Sequence, residues 1–247
     1  MTGPRRIEGI RAAVLDLDGT LVHTLPDFAA ATNRMLADLD LPGLSQAQIA
    51  LYIGKGSENL IVSVLNSALA KVKSSAAAIE SGVDAVPSKA DVEASSLYGL
   101  AFSRYQWHYA ELNGDFASVY PGALEGLAFL RQRGLPLACL TNKPLAFAQA
   151  LLRQKGLDGY FSHVFGGDSF ARKKPDPLPL LETCAALGSL PRQTLMLGDS
   201  SNDAQAARAA DCPVLLVRYG YNHGEPAESA GADGTLGSLA ELANWLS

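Results

Sequence analysis

Cysteine is scarce in this sequence: three in 247 residues, at Cys139, Cys184 and Cys212, with no CxxC pair. An odd, sparse and widely spaced set is not a disulfide framework and suits a reducing cytosol. Cys139 lies in an apolar strand-like run, where packing accounts for a thiol. Basic charge is short too. The chain has 20 Lys and Arg against 25 Asp and Glu, a net charge of −5. That excludes a general electrostatic hold on nucleic acid or on an anionic membrane, though not a local basic pocket for a small anion. No apolar run reaches the ~18 residues needed to span a bilayer, and no apolar core follows Arg5-Arg6 as a secretion signal requires. Internal repeats are absent. These absences lead to the expectation of a cytoplasmic protein, monomer or homodimer, with a small-molecule partner and no nucleic-acid or membrane partner.

What is present is a large apolar fraction, 48%, ample for a packed core. From about residue 120 the pattern alternates. Helices are expected over 124–133, 145–155, 178–187 and 203–210, several closed by a glycine suited to a C-terminal cap. Strands are expected over 135–140, 163–165, 194–197 and 213–217. Such alternation predicts a parallel sheet covered by helices, an α/β class. Between Thr24 and about Asp115 strand-like runs nearly vanish. Apolar residues there recur at helical spacing over 28–39, 46–53, 58–72 and 92–112. This predicts an all-helical module inserted after the first strand, giving an α/β core over 1–23 and 116–247 and a helical unit over 24–115. The Ser/Ala-rich stretch 73–96 reads as a mobile connection, partly helical around 76–79.

The first predicted strand, Ala13-Val14-Leu15, runs into Asp16-Leu17-Asp18-Gly19-Thr20. Strand alternation starts Asp16 and Asp18 on one side. Two close carboxylates repel, and a divalent cation compensates directly. Parallel strands also bring their C-terminal ends to one edge, where ligands bind. Thr141-Asn142-Lys143 ends a second strand and Gly198-Asp199 a third. Lys173-Lys174-Pro175 precedes a helix. Taken singly, each of these is an ordinary turn, cap or surface run. Together, in this order, they can cradle a phosphate and a metal. Asp16 and Asp199 offer hard oxygen ligands suited to Mg²⁺. Asp203, one helical turn beyond Asp199, is placed to orient metal-bound water. Thr141 and nearby amides can donate to phosphate oxygens, and Lys174 supplies a point charge. A glycosidase pair also uses two carboxylates, but works across a sugar without a metal and has no use for the Thr and Lys partners.

Asp16-Leu17-Asp18-Gly19-Thr20, Thr141, Lys174 and Gly198-Asp199 through Asp203 resemble, in order, the four motifs of the haloacid dehalogenase superfamily of phosphohydrolases. The helical insert is similar to that superfamily's α-helical cap. Tyr52-Ile53-Gly54-Lys55-Gly56, Thr141-Asn142-Lys143-Pro144, Lys173-Lys174-Pro175 and the run 219–225 narrow the resemblance to its phosphoglycolate phosphatase branch, over nearly the whole chain. One departure is His23, where many relatives carry aspartate.

The resemblance implies a Rossmann-like core, a Mg²⁺ cofactor and hydrolysis of 2-phosphoglycolate through an aspartyl-phosphate. Asp16 is then the nucleophile and Asp18 the general acid and base, protonated at the start because like charge raises one of the pair. Mg²⁺ sits on Asp16, the Asp18 carbonyl and Asp199, with Asp203 behind them. Lys174 joins Asp16 and Asp18 as a catalytic residue, and Thr141, Asn142 and Lys143 bind the substrate. Lys55 in the cap, with Lys143 as second candidate, reads the substrate carboxylate. His23 is expected to hydrogen-bond structurally near the cap hinge. The alternatives are a phosphatase for another small sugar phosphate, a phosphosugar mutase, or a non-catalytic phosphate-binding regulator.

Overall fold

The computed structural model describes residues 6–77 and 96–246, and by contacts it divides into two units, 1–24 with 118–247 and 25–117. The first unit is built on a six-stranded sheet in the order β5-β4-β1-β6-β7-β8, with every pairing parallel. Its strands are β1 (Ala12–Leu15), β4 (Leu137–Leu140), β5 (His163–Phe165), β6 (Thr194–Gly198), β7 (Val214–Val217) and β8 (Gly234–Leu236). β1, β4, β6 and β7 are buried along their whole length. Continuous apolar runs of this kind suit a sheet covered on both faces. The helices of this unit are α5 (Ala123–Gln132), α6 (Leu145–Gln154), α7 (Leu178–Ala186) and α8 (Ser201–Ala209).

β1 is the central strand, with Ala13 opposite Leu137 of β4 and Leu195 of β6. The chain winds outward from β1 in both directions. β4 and β5 lie to one side, and β6, β7 and β8 to the other. The strand order therefore reverses at β1, and a crevice opens beyond the carboxyl ends of such strands. Asp16, Thr141 and Asp199 each follow directly from one of the three central strands.

A second, two-stranded sheet was not anticipated: β2 (Val22–His23) pairs antiparallel with β3 (Ser118–Val119). It joins the segment that leaves this unit to the one that re-enters it. Runs of two residues carry too little periodicity to be read from sequence. β8 was likewise unforeseen, being short and glycine-led. The helix expected over 203–210 begins earlier, at Ser201, because Ser200 and Asp203 form a reciprocal capping box.

The second unit contains α1 (Leu25–Asp38), α2 (Gln46–Ala50), α3 (Ser57–Ala77) and α4 (Ser96–Leu112). α1 packs mainly on α4, with Phe28 and Tyr109 stacked at 5.2 Å and Tyr105 and Tyr109 at 5.4 Å. Asp27 is fully buried and accepts from the Gly114 amide at 2.7 Å and the Phe116 amide at 2.8 Å, tying the start of the unit to its end. α3 continues through Ala77, so the front of the expected connection over 73–96 is helical. The rest of that expectation, and the start of the helix expected from 92, lie outside the described residues. α2 is shorter than the 46–53 expected, since turn geometry takes over from Leu51 and Gly54 and Gly56 adopt positive φ.

Candidate active site

At the C-terminal edge of the sheet, β1 delivers Asp16 while the chain turns back on itself. The Leu21 and Val22 amides donate to the Leu17 carbonyl, and the Gly19 amide donates to Val22. Gly19 has φ 88°, and a Cβ there would collide with the Asp199 carboxylate. The turn therefore needs glycine for its backbone angle and for room.

Lys174 is the hub. Its ammonium is 4% exposed and donates to Asp16 Oδ1 at 2.9 Å, to Asp203 Oδ1 at 2.7 Å and to the Leu140 carbonyl at 2.8 Å. All three donor positions of the ammonium are used. Asp203 is occupied at both oxygens: Oδ2 accepts from the Asp199 and Ser200 amides and from the Ser200 hydroxyl. Asp199 accepts from the Thr20 hydroxyl at 3.2 Å and from the Tyr221 amide.

Ligand oxygens of Asp16, Asp199 and Asp203 lie within 4.8 Å of one another, and all three residues are buried. One lysine cannot neutralise three buried acids. Lys174 stays charged, its pKa raised because Asp16 and Asp203 outweigh the opposing effect of burial. The surplus negative charge falls on the acids. Burial chiefly, helped by Asp203 and Asp18 and opposed by Lys174, pushes Asp16 up to about 7. Burial, then Asp203 and Asp16, pushes Asp199 well above the carboxylate range. A cluster of hard oxygens with uncompensated negative charge fits a divalent cation.

Asp18 has a partner of its own. Lys143 donates to its Oδ1 at 2.9 Å and its Oδ2 at 3.2 Å, and the two side chains are 9% and 2% exposed. Lys143, expected among the substrate-binding residues, pairs here with the second aspartate. Asn142, also expected among the substrate-binding residues, pairs with the Lys174 backbone. Its amide donates to the Lys174 carbonyl at 2.8 Å and its oxygen accepts from the Lys174 amide at 3.0 Å, so it fixes the loop that carries the hub. Thr141 is buried at the end of β4, and its hydroxyl accepts from the Lys143 amide at 3.2 Å. Asp16, Asp18, Thr141, Asn142, Lys143, Lys174, Asp199 and Asp203 all belong to the sheet unit. Lys55 belongs to the helical unit, exposed in the turn between Gly54 and Gly56.

Several residues of the edge had no assigned role in the sequence. Besides its amide contact with Asp199, Tyr221 places its hydroxyl 2.7 Å from His23 Nδ1, which is also 3.1 Å from the Tyr120 hydroxyl. His23 is thus a hydrogen-bonding group of the β2 edge. Tyr219 donates to the Thr20 carbonyl at 2.8 Å, and Asn222 accepts from the Ser201 amide at 2.8 Å. The run 219–225 carries the family resemblance, but nothing in its composition says that it would fold back onto Asp199.

The family model for haloacid dehalogenase-like hydrolases matches residues 10–211, which include Asp16, Asp18, Thr141, Lys174, Asp199 and Asp203. The chain belongs to that family and is an enzyme of the hydrolase class. Among its relatives, a phosphoglycolate phosphatase of Thiobacillus denitrificans is 42% identical, covering 95% of this chain and 94% of the relative. A plasmid-encoded phosphoglycolate phosphatase of Cupriavidus necator is 44% identical over 94% of this chain and 90% of its own. A crystal structure of a predicted phosphoglycolate phosphatase from Haemophilus somnus 129pt superposes with a TM-score of 0.84 at 30% identity, covering 95% and 97% of the two chains.

Proposed function

We propose that this hydrolase converts 2-phosphoglycolate and water to glycolate and phosphate in the cytoplasm, by way of an aspartyl-phosphate on Asp16. Relatives carrying that activity in their names cover nearly the whole chain at 42% and 44% identity, which supports the substrate. The chemistry rests on one observation above all. Asp16 is held by Lys174 through Oδ1 alone, and among the described residues nothing donates to Oδ2. A carboxylate clamped at one oxygen and open at the other is oriented for attack.

Asp16, the Asp18 main-chain carbonyl and Asp199 would hold Mg²⁺, which offsets the repulsion between Asp16 and a phosphate dianion. Asp16 attacks phosphorus, and the phosphorus–oxygen bond to glycolate breaks. Asp18 gives its proton to the departing oxygen. It then takes one from the water that attacks the aspartyl-phosphate and frees Asp16. Lys143 reaches both oxygens of Asp18, at 2.9 and 3.2 Å. A proton on one oxygen therefore leaves the other still gripped, and Asp18 keeps its aim through both halves of the cycle. Lys174 steadies Asp16, while Asp203 and Asn142 steady Lys174. Thr141 and the amides beyond β4 donate to the phosphate oxygens.

The helical unit over 24–115 acts as the cap that selects substrate. With Lys143 committed to Asp18, Lys55 is the cation assigned to the substrate carboxylate. Among the described residues no helix is long and apolar enough to cross a membrane.

The test is phosphate release from a panel of small phosphomonoesters, with and without Mg²⁺, for the native chain and Asp16→Asn. The expected result is a preference for 2-phosphoglycolate, dependence on the cation, and a loss on the order of 10⁴-fold or more in the variant. Preference for another ester overturns the substrate, and isomerised phosphosugar without free phosphate indicates a mutase. Full activity in Asp16→Asn overturns the nucleophile.

A further inference from the structure

Away from the catalytic edge, the fold brings together two of the three cysteines that looked unrelated in sequence. Cys184 lies in the last turns of α7, and Cys212 lies between α8 and β7. They are 28 residues apart, yet their Sγ atoms are 3.8 Å from each other. Both are almost fully buried, at 1% and 2% exposure, in a cluster with Leu180, Ala207, Ala210 and Val214. Cys212 also lines a surface cleft of about 890 Å³, with Arg192, Arg208 and Pro213 among its walls. Cys139 is buried in β4, on a different element from either.

We infer that Cys184 and Cys212 form an oxidative modification site, which closes to a reversible disulfide when a peroxide passes from the cleft that Cys212 lines to the two touching sulfurs. A disulfide needs a sulfur–sulfur separation of about 2.05 Å, so the two sulfurs must close by less than a bond length plus a side-chain adjustment. The two sulfurs are already in contact. The contact also prepares the chemistry. Contact with the Cys212 sulfur lowers the Cys184 pKa, against the effect of burial. A thiolate is the form that reacts with peroxide.

The step balances as follows. The Cys184 thiolate attacks one peroxide oxygen, the oxygen–oxygen bond breaks, and the hydroxide released is protonated to water. This leaves a sulfenic acid on Cys184. Cys212 sulfur then attacks Cys184 sulfur, the sulfur–oxygen bond breaks, and hydroxide leaves with the Cys212 proton as a second water. Two thiols lose two electrons and two protons, and the peroxide is reduced to two waters. Disulfides in a reducing compartment are usually transient and redox-responsive, which is the character proposed here.

The experiment uses the native chain treated with hydrogen peroxide while folded, quenched, alkylated after denaturation and digested with trypsin. Cleavage yields one peptide of residues 174–192 with Cys184 and one of 209–218 with Cys212. The expected product is these two linked, with the intact mass lower by two hydrogens and free thiols falling from three to one, Cys139. Dithiothreitol should restore all three. In Cys184→Ser or Cys212→Ser the linked pair should vanish and Cys139 stay reduced. Should either variant fold poorly, the native map alone decides. Unlinked peptides carrying intact thiols, or only sulfinic and sulfonic acids, would overturn the inference and leave the pair as core packing. Linkage of Cys139 to either partner would overturn it as well, since that requires the core to open.

Discussion

The sheet edge and the helical unit are held by opposite means. At the edge, buried charge is packed against buried charge. Lys174 is shared by Asp16 and Asp203, and Lys143 holds Asp18. In the helical unit the interior is aromatic and aliphatic, with Phe28, Tyr105 and Tyr109 stacked between α1 and α4. Asp27 is the one fully buried carboxylate of that unit among the described residues, and it serves main-chain amides. Burying ions is expensive and seldom repaid in stability alone. A fold that does so at one place, with two acids pushed upward in pKa, has a charged ligand to meet there. Where charge has no such task, apolar packing does the holding.

The comparison breaks most sharply at Lys174. Lys174→Met leaves Asp16 and Asp203 buried without their cation, which should cost about 3–5 kcal/mol in urea unfolding and abolish phosphate release. Native stability in that variant would mean that the hub does not hold the edge. Lys143→Ala frees Asp18, and kcat should drop roughly 10²-fold, the scale of one general acid–base group. Unchanged kcat would remove Lys143 from the aiming of Asp18. In the helical unit, Asp27→Ala orphans two amides and should cost about 2 kcal/mol, read as a lower urea midpoint. A change inside error would show that those amides find other partners.

Two smaller effects sharpen the contrast between chemistry and choice. Lys55→Ala should raise KM for 2-phosphoglycolate about tenfold, ~1.4 kcal/mol, and leave a bulky ester without a carboxylate nearly unchanged. Equal losses on both substrates would discharge Lys55 from specificity. The smallest effect is in pH. The pKa of Asp16 rises from 3.8 to about 7 in the folded chain. A raised folded pKa contributes stability that is complete below the unfolded value and is lost as pH rises through the folded one. In chelator, Tm should therefore fall between pH 5 and pH 8, by more in the native chain than in Asp16→Asn, and Mg²⁺ should narrow the difference. An equal pH dependence in both proteins would place the surplus charge elsewhere.

Most of the edge was legible because parallel strands carry their sequence ends to a common place. Asp16, Thr141 and Asp199 each terminate an apolar run, and such runs are visible in a linear pattern. Side-chain pairing was not legible. The contact of Lys143 with Asp18, 125 residues earlier, exists only in the folded chain. Asn142 likewise spends both ends of its amide on Lys174. Tyr221 reaches Asp199 because the loop after β7 folds back, and no periodicity encodes a loop's return. β2 and β3 are two residues each, below the length at which alternation means anything.

By itself the sequence determined the class of fold, the order of the four motifs and the set of acids and lysines available for chemistry. These are local properties, written in apolar period, strand-ending carboxylates and glycine placement. Tertiary structure alone decided which lysine serves which acid, that one ammonium would be shared by two buried carboxylates, and that Cys184 would meet Cys212. The physical reason is that such pairings depend on distances of 3–4 Å between residues far apart in the chain. Those distances are set by how the helices pack on the sheet.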